Sequence, residues 1–546
     1  ANREKRRQWL TGFTGSSGTA AVTLTRAAVF TDSRYWTQAE RQMDCNWELQ
    51  KTVSASAVVS WILEEVKTGE VVGFDPFLLS INEWESYSNA FEGSGRTLHS
   101  ITTNLVNTVW GSQRINNGLF NLRAQDIPNN PYFYSYSLLT KNSISLFLNT
   151  SRITSTIRNY LNSNCPDSTC VQILEYDKVR DTLIEYVKGD VKVWIGSQYT
   201  NYGVYEIIPK AKLLSESYSP VMMTKAVKTE KEQRLLKNCH IRDAVAVIEY
   251  LLWLEKTVPT NTVTELSGAS FVDGRRAKQE YFKGPSFTTI SASGLNAALP
   301  HYRATNECDR RLSEQEIYLV DSGGQYFDGT TDITRTVHWG TPSAFEKEAY
   351  TRVLIGNIEL SQLVFPPRAL GINIESIARR ALWEAGLNFG HGTGHGIGNF
   401  FSVHEWPVGL RAGNVAFTKG MFTSIEPGYY HEGYFGIRIE DIAVVVEADT
   451  KYTFGGEKYL TFEKVTLVPY DRNLIDTSLM TDVHLKHIEK HYEKIRQIML
   501  PELQRQGLHE EYKWLEKNTE PLSPGNVVTA SLGLLSVSFI ISMFLQ

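Results

Sequence analysis

Cysteine is scarce in this chain: five in 546 residues, at positions 45, 165, 170, 239 and 308, with no Cys-x-x-Cys pair. That spacing argues against a thiolate metal cluster and leaves Cys165 and Cys170 close enough for a local disulfide. Excess positive charge is also missing. Lys and Arg number 55 against 60 Asp and Glu, for a net charge of −5, and the basic residues are scattered. No electrostatic footprint for nucleic acid follows from that balance. The sequence has no low-complexity tract and no short repeat. The apolar run at 532–545, LGLLSVSFIISMFL, falls short of the ~20 residues a helix needs to cross a bilayer.

What is present is a chain long enough for three or four domains of about 150 residues each, with 42% hydrophobic residues to fill their cores. Residues 1–113 alternate strands (TAAVTLTRAAVFTD) with helical stretches (SAVVSWILEEVKTG) and read as an α/β unit. RINNGLFNLRAQDIPNNP, rich in Asn, Gly and Pro, marks a boundary. A second α/β unit covers 114–219, with strands in SISLFLN and VKVWIGS around a helix in TSTIRNYLNS. A third unit, 220–515, opens on one long amphipathic helix from SPVMMTKAVKTEKEQ onward, alternates strands and helices to about 470, and ends on charged helix over 481–517. The last segment, 516–546, is a spacer with small residues followed by the apolar run. That order matches a GPI-attachment signal, with Ser523 as the attachment residue and a cell-surface location as its consequence. One sequon, Asn149-Thr150-Ser151, marks a glycosylation acceptor.

The chemistry gathers in the third unit. From Gly390 to Gly398 every second residue is glycine: Gly-His-Gly-Thr-Gly-His-Gly-Ile-Gly. Each glycine costs a helix about 1 kcal/mol relative to Ala, so the stretch predicts extended chain. His391, Thr393, His395 and Ile397 then share one face, and the bare face presses against other structure. Four acids occupy improbable settings. Asp321 ends the apolar run Ile317–Val320, and Asp332 falls inside a strand Thr330–Val337, the two strands joined by a Gly-rich turn. Glu426 follows an apolar strand, and Glu440 lies inside one, on the same face as Arg438. A carboxylate in a dry strand costs several kcal/mol without a partner. Arg438 can serve one of them; divalent cations can serve all. Four carboxylates and one imidazole make a hard, oxygen-rich set that favours Mn, Fe or Co over a structural zinc. Bridging carboxylates hold two ions about 3.5–4 Å apart, the arrangement of hydrolytic sites with a shared hydroxide.

These stretches also carry a resemblance. SASGLNAALPHY, DSGGQYFDGTTDITRTVHWGTP, HGTGHGIGNF, VHEWPVG, SIEPGYY and GIRIED resemble the pita-bread metallopeptidases, and within them the Xaa-Pro aminopeptidases. The match extends to WLTGFTGSSGTAAV and VFTDSRYWTQAE near the N-terminus, and the tail is similar to that of membrane-bound, GPI-anchored members. The resemblance implies an α/β (α+β) fold: two creatinase-like N-terminal domains followed by a pita-bread catalytic domain. It implies two divalent metal ions, Mn or alternatively Zn, on Asp321, Asp332, His395, Glu426 and Glu440, with Asp332 and Glu440 bridging. It makes Glu426 the general base as well, and places His301 and His404 at the scissile peptide. His391, Tyr430 and Arg438 then line the substrate side. The implied reaction releases an N-terminal residue that precedes proline from small peptides such as kinins, and the implied assembly is a homodimer. Measured against that pattern, the first unit lacks its opening strand and helix, and several dozen residues are missing after Trp110-Gly111-Ser112-Gln113. Two other readings of the residues stand beside this one: a prolidase confined to dipeptides, and a cell-surface binding protein on an inactive peptidase fold.

Overall fold

The computed structural model of the chain describes residues 2–43, 45–101, 120, 122–124, 126–163, 170–410 and 415–522. Residues 114–119, 121 and 125 of the boundary stretch, Cys165, and the tail with Ser523 lie outside the described residues. Cys170 is disulfide-bonded, whereas Cys45, Cys239 and Cys308 are free thiols.

The first two units share one plan. In the first, Thr19–Val22 pairs antiparallel with Ala27–Phe30, which pairs parallel with Trp47–Gln50; Val71–Phe74 and Thr97–Ser100 form a further parallel pair. In the second, Tyr136–Leu139, Ile144–Leu148 and Val171–Glu175 repeat the antiparallel-then-parallel order, followed by the parallel pair Val193–Gly196 and Leu213–Glu216. Parallel strands require crossovers, and helices supply them. Ala55–Glu65 and Ile81–Phe91 bury Val58, Trp61, Ile62, Tyr87 and Phe91 against Ala28 and Phe30. Ser80 and Glu83 close a capping box at the start of the second helix.

In the third unit the strand patterns fold into small curved sheets under long helices. The expected single helix at its start is two, Pro220–Ala226 and Glu230–Thr257. The break has a tertiary cause: Val227 bridges to Met421, the Lys228 amide donates to the Gly420 carbonyl, and Thr229 restarts the helix with Glu232 in a capping box. The stretch from Tyr318 to Val337 also differs from two strands and a turn. It forms Tyr318–Ser322 and Ile333–Val337, antiparallel to each other, with the short pair Gly324–Tyr326 and Gly329–Thr330 inserted between them in another sheet. Asp332 therefore lies between strands rather than within one. Glu440 likewise sits in the gap between Phe435–Arg438 and Asp441–Glu447, bridged to Thr334. Irregular backbone frees these two side chains from the strict alternation of a ladder. The helices Glu230–Thr257, Ala344–Ser361 and Asp482–Arg505 close over one apolar core that includes Ile248, Val353, Leu354, Ile437, Ile488, Ile495 and Met499. Among the described residues no helix is long and apolar enough to cross a membrane.

Two buried ion networks brace the irregular segments. Arg335 donates to Asp441 Oδ1 at 2.7 Å and to the Glu440 carbonyl at 2.8 Å, and Lys464 and the Tyr470 hydroxyl complete the shell of Asp441. Arg276 bonds Asp243 through two nitrogens, at 2.8 and 3.0 Å, while the hydroxyls of Tyr326 and Thr331 donate to Asp243 Oδ1. Thr331 precedes Asp332, so the second network ties the approach to that acid to a helix. Arg276 is the salt-bridge partner of Asp243 among the described residues. Arg276→Met is expected to destabilise the protein by about 3–5 kcal/mol, because it strands a buried charge. Urea unfolding of the variant against the parent checks this, and a loss under 1 kcal/mol contradicts it.

Candidate metal centre

The alternate glycines bring backbone against backbone. A Cβ on Gly394 would collide with the Ser424 carbonyl, and one on Gly396 with the Glu405 carbonyl. This is the pressed face expected from the sequence. Only Gly394–His395 pairs as a strand, with Gly409–Leu410. The expected common face holds for the two histidines, which line a shared cavity, but not for their neighbours. Thr393 turns its hydroxyl to Glu375 at 2.7 Å, and Ile397 is buried in an apolar cluster with Phe422 and Val444. The short strand cannot carry the alternation through to residue 397.

The four acids and His395 line one cavity of about 830 Å³. Asp332, His395 and Glu440 offer ligand atoms that all lie within 4.8 Å of one another. His395 Nε2 stands 3.5 Å from Asp332 Oδ2 and 3.4 Å from Glu426 Oε1. Its Nδ1 lies 3.0 Å from the Gly396 carbonyl, an acceptor only, so Nδ1 carries the proton and Nε2 faces the acids. Ser424 serves both sides: its hydroxyl accepts from the His395 amide and donates to Glu426 Oε1. Thr334 donates to Glu440 Oε2 at 2.8 Å. Asp321 accepts from Arg438 Nη2 at 2.6 Å. Among the described residues, Asp321 Oδ1, Asp332 Oδ1 and Glu440 Oε1 are buried without a hydrogen-bond partner. Burial, followed by the charges of Asp321 and Glu426, holds the Asp332 carboxyl well above the usual range, and burial with the charges of Asp332 and Glu426 does the same for Glu440. Burial also raises Glu426. Orphaned, mutually repelling carboxylate oxygens beside an imidazole nitrogen fit divalent cations, which would satisfy all of them at once.

Arg438 leads from the acids to the opposite side of the cavity. It donates to the Tyr430 hydroxyl at 2.7 Å, and that hydroxyl lies 2.8 Å from His391 Nε2. His391 Nδ1 faces the Gly392 carbonyl at 2.8 Å, so it carries the proton. Burial lowers the His391 imidazole to about 3, which keeps it neutral, so Tyr430 donates to Nε2. Each proton in this chain has one allowed position. Arg438 and Glu440 are joined through Thr334, which accepts from Arg438 Nε at 3.0 Å. His301 and His404 line the same cavity, and burial holds both well below the usual imidazole range. The His404 ring crosses that of His395 at 4.1 Å, with one edge open to the cavity.

Several lining residues escape the sequence reading. Asp32, Arg34 and Tyr35 of the first unit and Ile127–Asn130 of the second line the same cavity as the four acids. Arg34 is fixed by two bonds to Asp32, at 2.7 and 2.8 Å. Glu405, next to His404, is buried against Lys225 and Lys228. A signal for the first group exists: the polar run Asp32-Ser33-Arg34-Tyr35 begins two residues after the buried strand Ala27–Phe30 ends. No spacing rule links it to residues three hundred positions away.

Residues 234–447 match metallopeptidase family M24, and 458–522 match the C-terminal region of that peptidase. Residues 2–109 and 118–232 match creatinase/prolidase N-terminal domains. The chain is 59% identical to human Xaa-Pro aminopeptidase 2 over 97% of its own length and 85% of the relative's. It is 35% identical to the Drosophila melanogaster Xaa-Pro aminopeptidase ApepP, covering 95% and 92% of the two chains. It superposes on the X-prolyl aminopeptidase of Caenorhabditis elegans with a TM-score of 0.89 at 31% identity, covering 94% and 92% of the chains. That protein is described as a cytosolic enzyme with a di-nuclear active site.

The raised carboxyls set a pH dependence for the metal-free protein. Unfolded Asp and Glu lose their protons near pH 4. Asp332, Glu426 and Glu440 retain theirs to higher pH when folded. The folded state then binds more protons, so its stability falls as pH rises from about 4 through the raised values. The buried histidines oppose this trend, because His301, His391 and His404 stay neutral when folded and take up protons below about pH 6.5 when unfolded. The acids are therefore read by difference: from pH 5.5 to 8 the chelated Asp332→Asn variant is expected to lose less melting temperature, or gain more, than the chelated parent, and added Mn²⁺ to stabilise the parent more at pH 8. The same pH dependence in both proteins contradicts this.

Proposed function

The chain belongs to the Xaa-Pro aminopeptidases of metallopeptidase family M24, a hydrolase with two creatinase-type N-terminal domains before its pita-bread catalytic domain, and on that premise we propose that it removes the N-terminal residue from small peptides whose second residue is proline, kinins among them. The observation that carries the reading is the set of buried, partnerless carboxylate oxygens around His395. Asp321, Asp332, His395, Glu426 and Glu440 would hold two divalent cations, Mn²⁺ by the weight of oxygen donors, with Zn²⁺ as the alternative. When bound, such a pair supplies a water acidified toward neutral pH and positive charge for the peptide's amine and carbonyl.

The chain's own groups do the rest. Glu426, oriented by Ser424, takes the proton of the attacking water, and its raised affinity for protons suits that role. His404, beside His395, meets the carbonyl of the scissile bond. His301 faces the same peptide from the first-unit side of the cavity. Proline offers no N–H, and a site that accepts it must not depend on one. The ring of His391, held through the Tyr430 hydroxyl by Arg438, gives the pyrrolidine a wall without unmet donors or acceptors.

The protein is expected to release Arg from Arg-Pro-Pro and to leave Arg-Ala-Pro nearly intact, with activity lost on exhaustive chelation and restored by Mn²⁺. Glu426→Gln is expected to lower kcat by about a hundredfold or more. Full activity after chelation, or equal cleavage of the two tripeptides, removes the reading. The spacer and apolar run at 521–545 support a lipid anchor at the cell surface. Phosphatidylinositol-specific phospholipase C is then expected to free the protein from membranes, and retention in the pellet contradicts the anchor.

A further inference from the structure

One polar contact crosses from the first unit into the catalytic cavity and ends on an imidazole. The Tyr35 hydroxyl lies 2.6 Å from His301 Nδ1 and 2.5 Å from Ser16 Oγ, and the two rings are 5.0 Å apart. The first unit determines where that hydroxyl sits. Tyr35 is 2% exposed, its ring meets Phe13 edge-on at 5.8 Å, and the Arg34 guanidinium lies over it at 5.1 Å. Its amide donates to the Asp32 carbonyl and its carbonyl accepts from Ala39. A side chain at Gly15 would strike both Phe13 and Tyr35, so the neighbouring loop stays tight against them. His301 is less constrained. It sits in the loop after the turn Gly294–Ala298, and its one side-chain hydrogen bond among the described residues is the one to Tyr35.

Burial holds His301 neutral and keeps the Tyr35 proton on oxygen. Two arrangements remain. In one, Ser16 donates to Tyr35, Tyr35 donates to Nδ1, and Nε2–H points into the cavity. In the other, Nδ1–H donates to Tyr35, Tyr35 donates to Ser16, and a bare Nε2 faces the cavity. A peptide with proline second brings carbonyl oxygens to this place and no N–H from its second residue. Only the first arrangement gives those oxygens a partner.

We propose that Tyr35 is a positioning residue: backed by Ser16, its hydroxyl donates to Nδ1 of His301 and holds that imidazole as an Nε2–H donor to a carbonyl oxygen of the bound peptide. The choice of ligand rests on the Xaa-Pro aminopeptidase reading; the tautomer is measurable without it. Ring ¹⁵N spectra of the full-length, zinc-loaded protein, with His301 assigned by its disappearance in His301→Asn, are expected to show Nδ1 as an acceptor and Nε2 protonated. A protonated Nδ1 overturns the proposal. Tyr35→Phe keeps the ring and is expected to lower kcat on Arg-Pro-Pro about tenfold, with KM changed less than about twofold. In a His301→Asn background the same substitution is expected to change kcat by less than about twofold, because the two residues act as one unit. An equal loss in both backgrounds overturns the proposal. Should Tyr35→Phe fail to fold, the wild-type spectrum still decides, and Ser16→Ala is expected to admit the second tautomer. A wild-type protein with the expected tautomer and no cleavage of Arg-Pro-Pro discards the substrate reading and leaves the Tyr35–His301 unit standing.

Discussion

The third unit is organised around an unfavourable juxtaposition. Asp321, Asp332, Glu426 and Glu440 line one cavity with the buried guanidinium of Arg438. Hydrogen bonds from Thr334 and Ser424 satisfy some oxygens and leave others bare. Folding such a cluster costs free energy that the surrounding structure must offset, and the rigid elements nearby are those that do so. Arg335 and Asp441 fix the backbone beside Glu440, Arg276 and Asp243 fix the approach to Asp332, and the glycine-spaced chain presses His395 into place. A site prepared in this way trades stability of the empty protein for affinity toward cations.

Proton positions around the cluster are determined rather than free. Backbone carbonyls tie Nδ1 of both His391 and His395, so each presents Nε2 inward. The consequence differs between them. On His391 the inward nitrogen is already occupied by Tyr430, which makes that ring a passive wall. On His395 it faces carboxylates and is available as a ligand. Two identical residues in the same glycine repeat thus acquire different duties from their partners across the cavity.

The acids and histidines were legible because their settings are improbable in sequence: charged residues at the ends of apolar runs, and imidazoles separated by glycines. The alternation of strands and helices in the first two units was legible, whereas the parallel pairing of their strands was not. Other features were not. Asp332 and Glu440 fall in gaps between strands, and periodicity cannot see a gap that tertiary bridges create. The helix break at Val227–Thr229 depends on contact with residues 420 and 421, far along the chain. Thr393 and Ile397 leave the face of the histidines because the strand there is two residues long. Asp32, Arg34 and Tyr35 stand out locally as a polar run after a buried strand, but nothing in that run links it to a cavity built mainly by another unit.

That last arrangement brings two separately packed bodies together at one cavity. The acids, His395 and most of the groups proposed to meet the peptide belong to one core, whereas Asp32, Arg34 and Tyr35, which line the same cavity, belong to another with its own apolar cluster. A change confined to the first core can therefore reach His301 through Tyr35 without disturbing the packing that carries the acids.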